Sequence, residues 1–282
     1  MLYFGMKKID GTIVAPDGPT KWSAEDSKLE WLVFKTIHGM TMQGSGVIDG
    51  KGEKWWNLPS KHVNAINFAS NSKLTMRGLT IKQPQVSHNL GSFSPADSPN
   101  TDGIHLANTN NVKIYHSTIS TGDDCISIGT GSHDVDIKHA TCGPSHGIRI
   151  KTWQGGSGSV SQVTFDNIRM DTVQNPIIIN QYYCLTEKCH NQTSALMISN
   201  IMYRNIIGTY ETNRPPMHLA CSDSMPCMNI TLSEVKLVPS DRGNRKTKKV
   251  LKPFCWKAYG SLQSFTTPPV HCLLKGHPGK YE

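Results

Sequence analysis

The sequence predicts an all-β fold, a right-handed parallel β-helix forming a single domain over residues 1–282. Three observations carry that reading. A short strand template recurs along the chain, helix signals are nearly missing, and a second register returns every 22 residues.

The template is apolar–x–apolar–x–x–apolar–x–apolar, an alternation followed by a kink that changes face. Leu74 to Ile81 fits it, as do Val112 to Ile119 (with Ser117 at one apolar position) and Val135 to Cys142. It returns at Val163 to Met170, at Ile201 to Gly208 in degraded form, and at Ile230 to Leu237. Met40 to Val47 is a weaker first copy, and the copies start 34, 38, 23, 28, 38 and 29 residues apart. Short alternating strands at such a period describe a solenoid, because one coil cannot bury its apolar face until the next stacks on it. Successive coils then pair as parallel strands about 4.8 Å apart, apolar side chains inside and polar ones outside. β-Branched residues, Gly, Asn and Ser interrupt every window that could form an amphipathic helix. A β-sandwich is the competing architecture, and the long, irregular spacings argue against it.

Composition narrows the function classes. Apolar residues are 37% and charged residues 18% of the chain. No run approaches the roughly 18 apolar residues that a spanning helix needs, so no membrane partner is expected. Val, Ile, Leu and Met recur throughout, which excludes a disordered chain. The net charge of +8 suggests an acidic partner, but Arg242, Arg245, Lys246, Lys248, Lys249 and Lys252 form one run and read best as a solvated loop. No recognition helix or interleaved aromatics accompany it, so no nucleic acid is expected.

Eight cysteines stand in local pairs, and sequential disulfides are the preferred connectivity: Cys125–Cys142, Cys184–Cys189, Cys221–Cys227 and Cys255–Cys272. A zinc site is the alternative, disfavoured because no C-x₂-C pair occurs. Sequons at Asn191 and Asn229 add to the signature of an oxidising, secretory route. The apolar stretch within Met1–Lys8 is too short for a signal peptide. The expectation is a secreted protein whose native start is missing from this chain.

The second register carries the chemistry. Thr101-Asp102-Gly-Ile-His-Leu, Asp123-Asp124-Cys-Ile-Ser-Ile and Ser145-His146-Gly-Ile-Arg149-Ile align with Asp102, Asp124 and His146 at steps of 22 and 22. With one coil per repeat, these become a column on one outer face, Asp123 beside it, within about two coil spacings or roughly 10 Å. Like charges so close oppose one another's ionisation, so at least one carboxyl should hold a proton near neutral pH. A protonated carboxyl beside ionised ones is what glycoside hydrolysis requires: one group protonates the leaving oxygen while another activates water. An aspartate turn ladder and a calcium site are the competing readings. Arg149 and Lys151, at i and i+2 of one strand, project the same way into the cleft beside His146. Small Gly147 and the stretch Gly155-Gly-Ser-Gly158 suggest an open surface there. Cations beside acidic groups select a substrate that is itself a carboxylate polymer, a uronic-acid polysaccharide.

Together these residues resemble the signatures of plant polygalacturonases, the pectin-hydrolysing members of glycoside hydrolase family 28. The matching stretches are Asn100-Thr101-Asp102, Gly122-Asp123-Asp124, Ser145-His146-Gly147 and Arg149-Ile150-Lys151, with Asp10 to Pro16, Thr152 to Gly158, Asn175 to Ile179, Tyr183-Cys184 and Cys221-Ser-Asp223 in support. The resemblance covers about residues 8 to 275. It implies hydrolysis of α-1,4-galacturonosyl bonds in de-esterified pectin of the cell wall, in one inverting displacement without cofactor or metal. Asp123 would be the general acid, Asp102 and Asp124 would activate water, and His146 would tune the acid's proton. Arg149 and Lys151 would bind the galacturonate carboxylate, with Tyr183 lining the neighbouring subsite. A monomer is the default expectation. A catalytically impaired pectate-binding homologue, or a hydrolase of another pectic backbone such as rhamnogalacturonan, is the alternative.

The chain departs from the family pattern in four ways. The resemblance implies N-terminal coils, a capping helix and a leader ahead of Asp10, a further coil expected between His88 and Ser98, and a glycine where Ser145 stands. The His and Arg motifs, normally on successive coils, are fused in His146-Gly-Ile-Arg-Ile-Lys151. Loss of one coil in register should bring Arg149 and Lys151 about 4.8 Å closer to the aspartates.

Overall fold

The computed structural model describes residues 2–3, 5–17, 31–52, 65–82, 102–183, 192, 194–240 and 250–278. Its strands form two sheets, of sixteen and eight strands among the described residues. Pairing is parallel throughout both, which makes the chain an all-β, right-handed solenoid. Cys184, Cys189 and Asn191, most of the basic run, and the stretch between His88 and Ser98 lie outside the described residues.

The strand template is realised position by position in the larger sheet. Leu74, Val112, Val135, Val163, Ile201 and Ile230 stand opposite one another, as do Met76, Ile114, Ile137, Phe165, Tyr203 and Leu232. The kink has a backbone cause. The residue before the second half of each copy has positive φ: Gly78, His116, His139, Asn167, Asn205 and Glu234. Left-handed backbone at that point turns the strand to present its next apolar side chain inward. Column neighbours then support one another, with His116 stacked on His139 at 4.7 Å and Asn205 donating its side-chain amide to Asn167. The first copy is one residue longer than expected. Met42 pairs with Met76 but Ile48 with Ile81, so Ile48 is buried and Val47 is not. Gly44-Ser45-Gly46 absorbs the additional residue.

The eight-stranded sheet runs in chain order from Leu32–Lys35 through Ile66–Ala69, Ile104–Ala107, Asp124–Ile128, His146–Lys151, Ile177–Asn180 and Met217–Ala220 to Phe254–Trp256. Its inner face is a ladder of Ile66, Ile104, Ile126, Ile148, Ile177 and Met217, every one fully buried. Identical β-branched side chains stack at the strand spacing without leaving gaps, so each coil sets its neighbour's register. That register positions the polar groups outside.

Three of the four expected disulfides fall within the described residues and are formed: Cys125–Cys142, Cys221–Cys227 and Cys255–Cys272. The first ties the strand Asp124–Ile128 to the larger sheet across 17 residues, a closure worth about 3 kcal/mol on loop length. Asn229 is exposed, and its side-chain amide donates to Asn200 at 2.6 Å. Among the described residues no helix is long and apolar enough to cross a membrane.

Candidate active site

Strand register assembles the polar cluster. Asp124 lies opposite His146, and pairing of Ile104 with Ile126 sets Asp102 beside Asp124. Glycines permit the close stacking. A Cβ on Gly147 would stand 2.0 Å from the Pro176 carbonyl oxygen, and one on Gly103 would stand 2.7 Å from that of Cys125. Gly147 therefore marks tight backbone approach of the following coil, not the open surface expected from its size. Ser145 is accommodated by donating its hydroxyl to the Asp123 carbonyl at 2.7 Å, which pins the backbone at that aspartate.

His146 Nδ1 lies 2.7 Å from Asp123 Oδ1 and 3.6 Å from Asp124 Oδ1. Arg149 donates one Nη to both oxygens of Asp124, at 3.2 Å each. Lys151 Nζ lies 3.2 Å from Asp102 Oδ2 and 3.5 Å from Asp124 Oδ2. Tyr183 caps both cations, its ring centroid 5.0 Å from the guanidinium and 5.1 Å from the ammonium. The cations do not stand free in the cleft but close on the aspartates, leaving their side chains only 11% and 12% exposed.

The electrostatics separate the two adjacent carboxyls. Burial first, then the charges of Asp124 and Asp102, push Asp123 up to about 6 against the pull of His146. Burial would also raise Asp124, but Arg149, His146 and Lys151 overcome it and hold that carboxyl well below the usual carboxylate range. Burial alone would lower His146; its contacts with Asp123 and Asp124 win and raise it to about 9. In mildly acidic solution Asp123 is thus a neutral acid, Asp124 an anion and His146 a cation.

Two further residues join the cluster that motif reading did not single out. Ser127, fully buried, donates its hydroxyl to Asp102 Oδ2 at 2.7 Å. His105 Nδ1 lies 2.7 Å from the same hydroxyl oxygen. Because the serine proton goes to Asp102, His105 must donate from Nδ1, and burial keeps that ring below its usual protonation range. A signal for both was in the sequence: His105, Ser127 and Arg149 repeat the 22-residue step three positions along from Asp102, Asp124 and His146. Ser127→Ala is expected to lower kcat about tenfold to a hundredfold with little change in KM, since it removes a buried hydrogen bond to a charged group. Steady-state kinetics of the variant check this.

Asp123, Asp124 and His146 offer ligand atoms within 4.8 Å of one another, the donor set of a small cation. They do not suit one. His146 is held protonated against Asp123, and Arg149 and Lys151 already neutralise Asp124.

The solenoid thus gathers acids, a histidine and two cations on the outer face of one sheet. The model of the family Glycosyl hydrolases family 28 matches residues 6–149 and 146–255, and the chain belongs to that family. The two matched stretches share residues 146–149. The chain is 37% identical to a probable polygalacturonase of Arabidopsis thaliana, over 93% of its own length and 69% of the relative. It is 37% identical to a polygalacturonase of Cryptomeria japonica, over 82% of its length and 55% of the relative. Among solved structures, the fold matches an endo-xylogalacturonan hydrolase from Aspergillus tubingensis (TM-score 0.58, 16% identity, 92% of this chain and 86% of that one). It also matches the Erwinia carotovora polygalacturonase (TM-score 0.53, 16% identity, 85% of each chain).

Proposed function

We propose that this chain hydrolyses α-1,4-galacturonosyl linkages of de-esterified pectin by a single inverting displacement, as a secreted protein of the cell wall. The observation that carries the reading is the split between neighbouring carboxyls: Asp123 keeps its proton to about 6 while Asp124 is ionised. Asp123 donates that proton to the glycosidic oxygen as the bond breaks. Asp124 and Asp102 accept the proton of a water attacking from the opposite face of the ring. His146⁺ beside Asp123 stabilises the carboxylate that donation leaves behind, then helps restore its proton. Arg149 and Lys151 hold the galacturonate carboxylate, with Tyr183 covering them. Three cations, two of them paired with Asp124 and Asp102, face the cleft while Asp123 is neutral, which favours an anionic substrate.

The anomer formed distinguishes inversion. Proton magnetic resonance of freshly cleaved oligogalacturonate should show β-anomeric reducing ends first, with α appearing only by mutarotation; α-ends appearing first would contradict the single displacement.

A second reading rests on the ion pairs. Arg149 and Lys151 are engaged by Asp124 and Asp102, so a substrate carboxylate must compete with the acids for them. A chain in which the acids win would bind pectate weakly and turn it over slowly, an impaired homologue of the family.

A further inference from the structure

The outer face of the eight-stranded sheet continues past the acids toward the C-terminal coils. Arg149 lies in register with Ile178, His218 and Phe254, and Lys151 with Asn180, Ala220 and Trp256. Three strand steps, about 14 Å, separate the cation pair from the last strand. There the chemistry changes. Trp256 is 47% and Phe254 43% exposed, large aromatic area for a surface strand. Phe254 stacks on His218 with ring centroids 5.0 Å apart. Asp223 accepts hydrogen bonds from Trp256 Nε1 and from the Tyr182 hydroxyl, each at 3.0 Å. A carboxylate gripping both polar tips fixes two aromatic rings before any ligand arrives, which removes the ordering cost of binding.

We propose that Tyr182 and Trp256, held by Asp223, together with the stacked His218 and Phe254, form a sugar subsite that takes an uncharged pyranosyl unit of the same polysaccharide, the methyl-esterified galacturonosyl residue. This rests on the pectin reading of the cleft. Aromatic faces receive the C–H face of a pyranose, and an ester contributes no charge for this site to balance. A free uronate is the poorer fit. The indole and phenol donors are spent on Asp223, whose carboxylate stands against Trp256. Burial and the charges of Arg149 and Arg214 keep His218 below its usual protonation range, so it adds a flat neutral ring. The cleft would then read two features of pectin at once: a free carboxylate at the acids and an ester some coils away.

Calorimetric titration tests this with the Asp123→Asn protein, which spares the ligand, and with that protein also carrying Trp256→Ala or Phe254→Ala. The probes are oligogalacturonates of matched length, one as the free acid and one half methyl-esterified. The half-esterified oligomer should bind the parent more tightly, and each aromatic substitution should weaken it about fivefold while changing the free-acid affinity less than twofold. Circular dichroism establishes that the half-exposed positions tolerate substitution; should one variant fail to fold, the other decides. Equal affinities for both oligomers, or equal losses on both, would overturn the ester subsite and leave the pectate reading standing. No binding of either oligomer to the parent would overturn the pectate reading and the subsite with it.

Discussion

Asp123→Asn is expected to lower reducing-end release from polygalacturonate by about a hundredfold to ten-thousandfold, the range over which a positioned general acid contributes. The amide keeps the shape of the side chain but cannot give up a proton to a leaving oxygen. The proton's availability sets the pH dependence. Burial and the neighbouring aspartates hold Asp123 neutral to about 6, so the rate should fall as pH rises through that value. His146 opposes this shift, since a cation 2.7 Å away favours the carboxylate. Replacing His146 with Gln should therefore move the alkaline limb of the profile to higher pH. A limb that stays in place on that substitution would show that the titrating group is not Asp123.

Arg149→Met should cost about 3 kcal/mol of folding stability near neutral pH. Asp124 is fully buried, and removing the guanidinium that holds both its oxygens leaves a charge without its main partner. Lys151, 3.5 Å away, compensates in part, which places the expectation at the low end for broken buried pairs. The sign follows from proton linkage. Asp124 has a depressed pKa in the folded state, so its contribution is present above the unfolded value of about 3.9 and is lost as pH falls through the folded one. The gap between the two proteins should accordingly narrow in acid. His146 works in the opposite direction: raised to about 9, it stabilises fully below about 6.5 and loses that contribution as pH climbs through 9. Urea midpoints followed by circular dichroism at pH 7 and pH 3 check the Asp124 sign, and midpoints of the unsubstituted protein at pH 6 and pH 10 check the His146 sign. Equal midpoints for the two proteins at pH 7 would mean that the Arg149–Asp124 pair carries no net stability.

The solenoid was legible because its coils obey a local rule. Leu74, Met76, Leu79 and Ile81 alternate, pass a left-handed residue and alternate again, and five later copies stack on that pattern. Spacing also shows which coil carries each polar group, which is why Asp102, Asp124 and His146 could be aligned from the sequence alone. It does not show where a long side chain ends. Arg149 and Lys151 project outward as their parity requires, yet their tips fold onto Asp124 and Asp102, a choice made by charge and not by strand geometry. Ser127 escaped notice for a related reason. A serine in a strand is ordinarily unremarkable, and its significance lies in the hydroxyl that bridges His105 and Asp102 across adjacent strands. Gly147 was misread because a small residue marks equally well an open surface or a backbone pressed against the next coil. The extra residue before Ile48 was hidden because Val47 is apolar too.

The most direct test of the account is reducing-end release from polygalacturonate by oxidatively folded protein whose sheet content has been verified, beside Asp123→Asn. Hydrolysis by the parent and its loss in the variant are expected, and would establish that one coil can carry both His146 and the cation pair. A folded parent that releases no reducing ends would contradict the hydrolase.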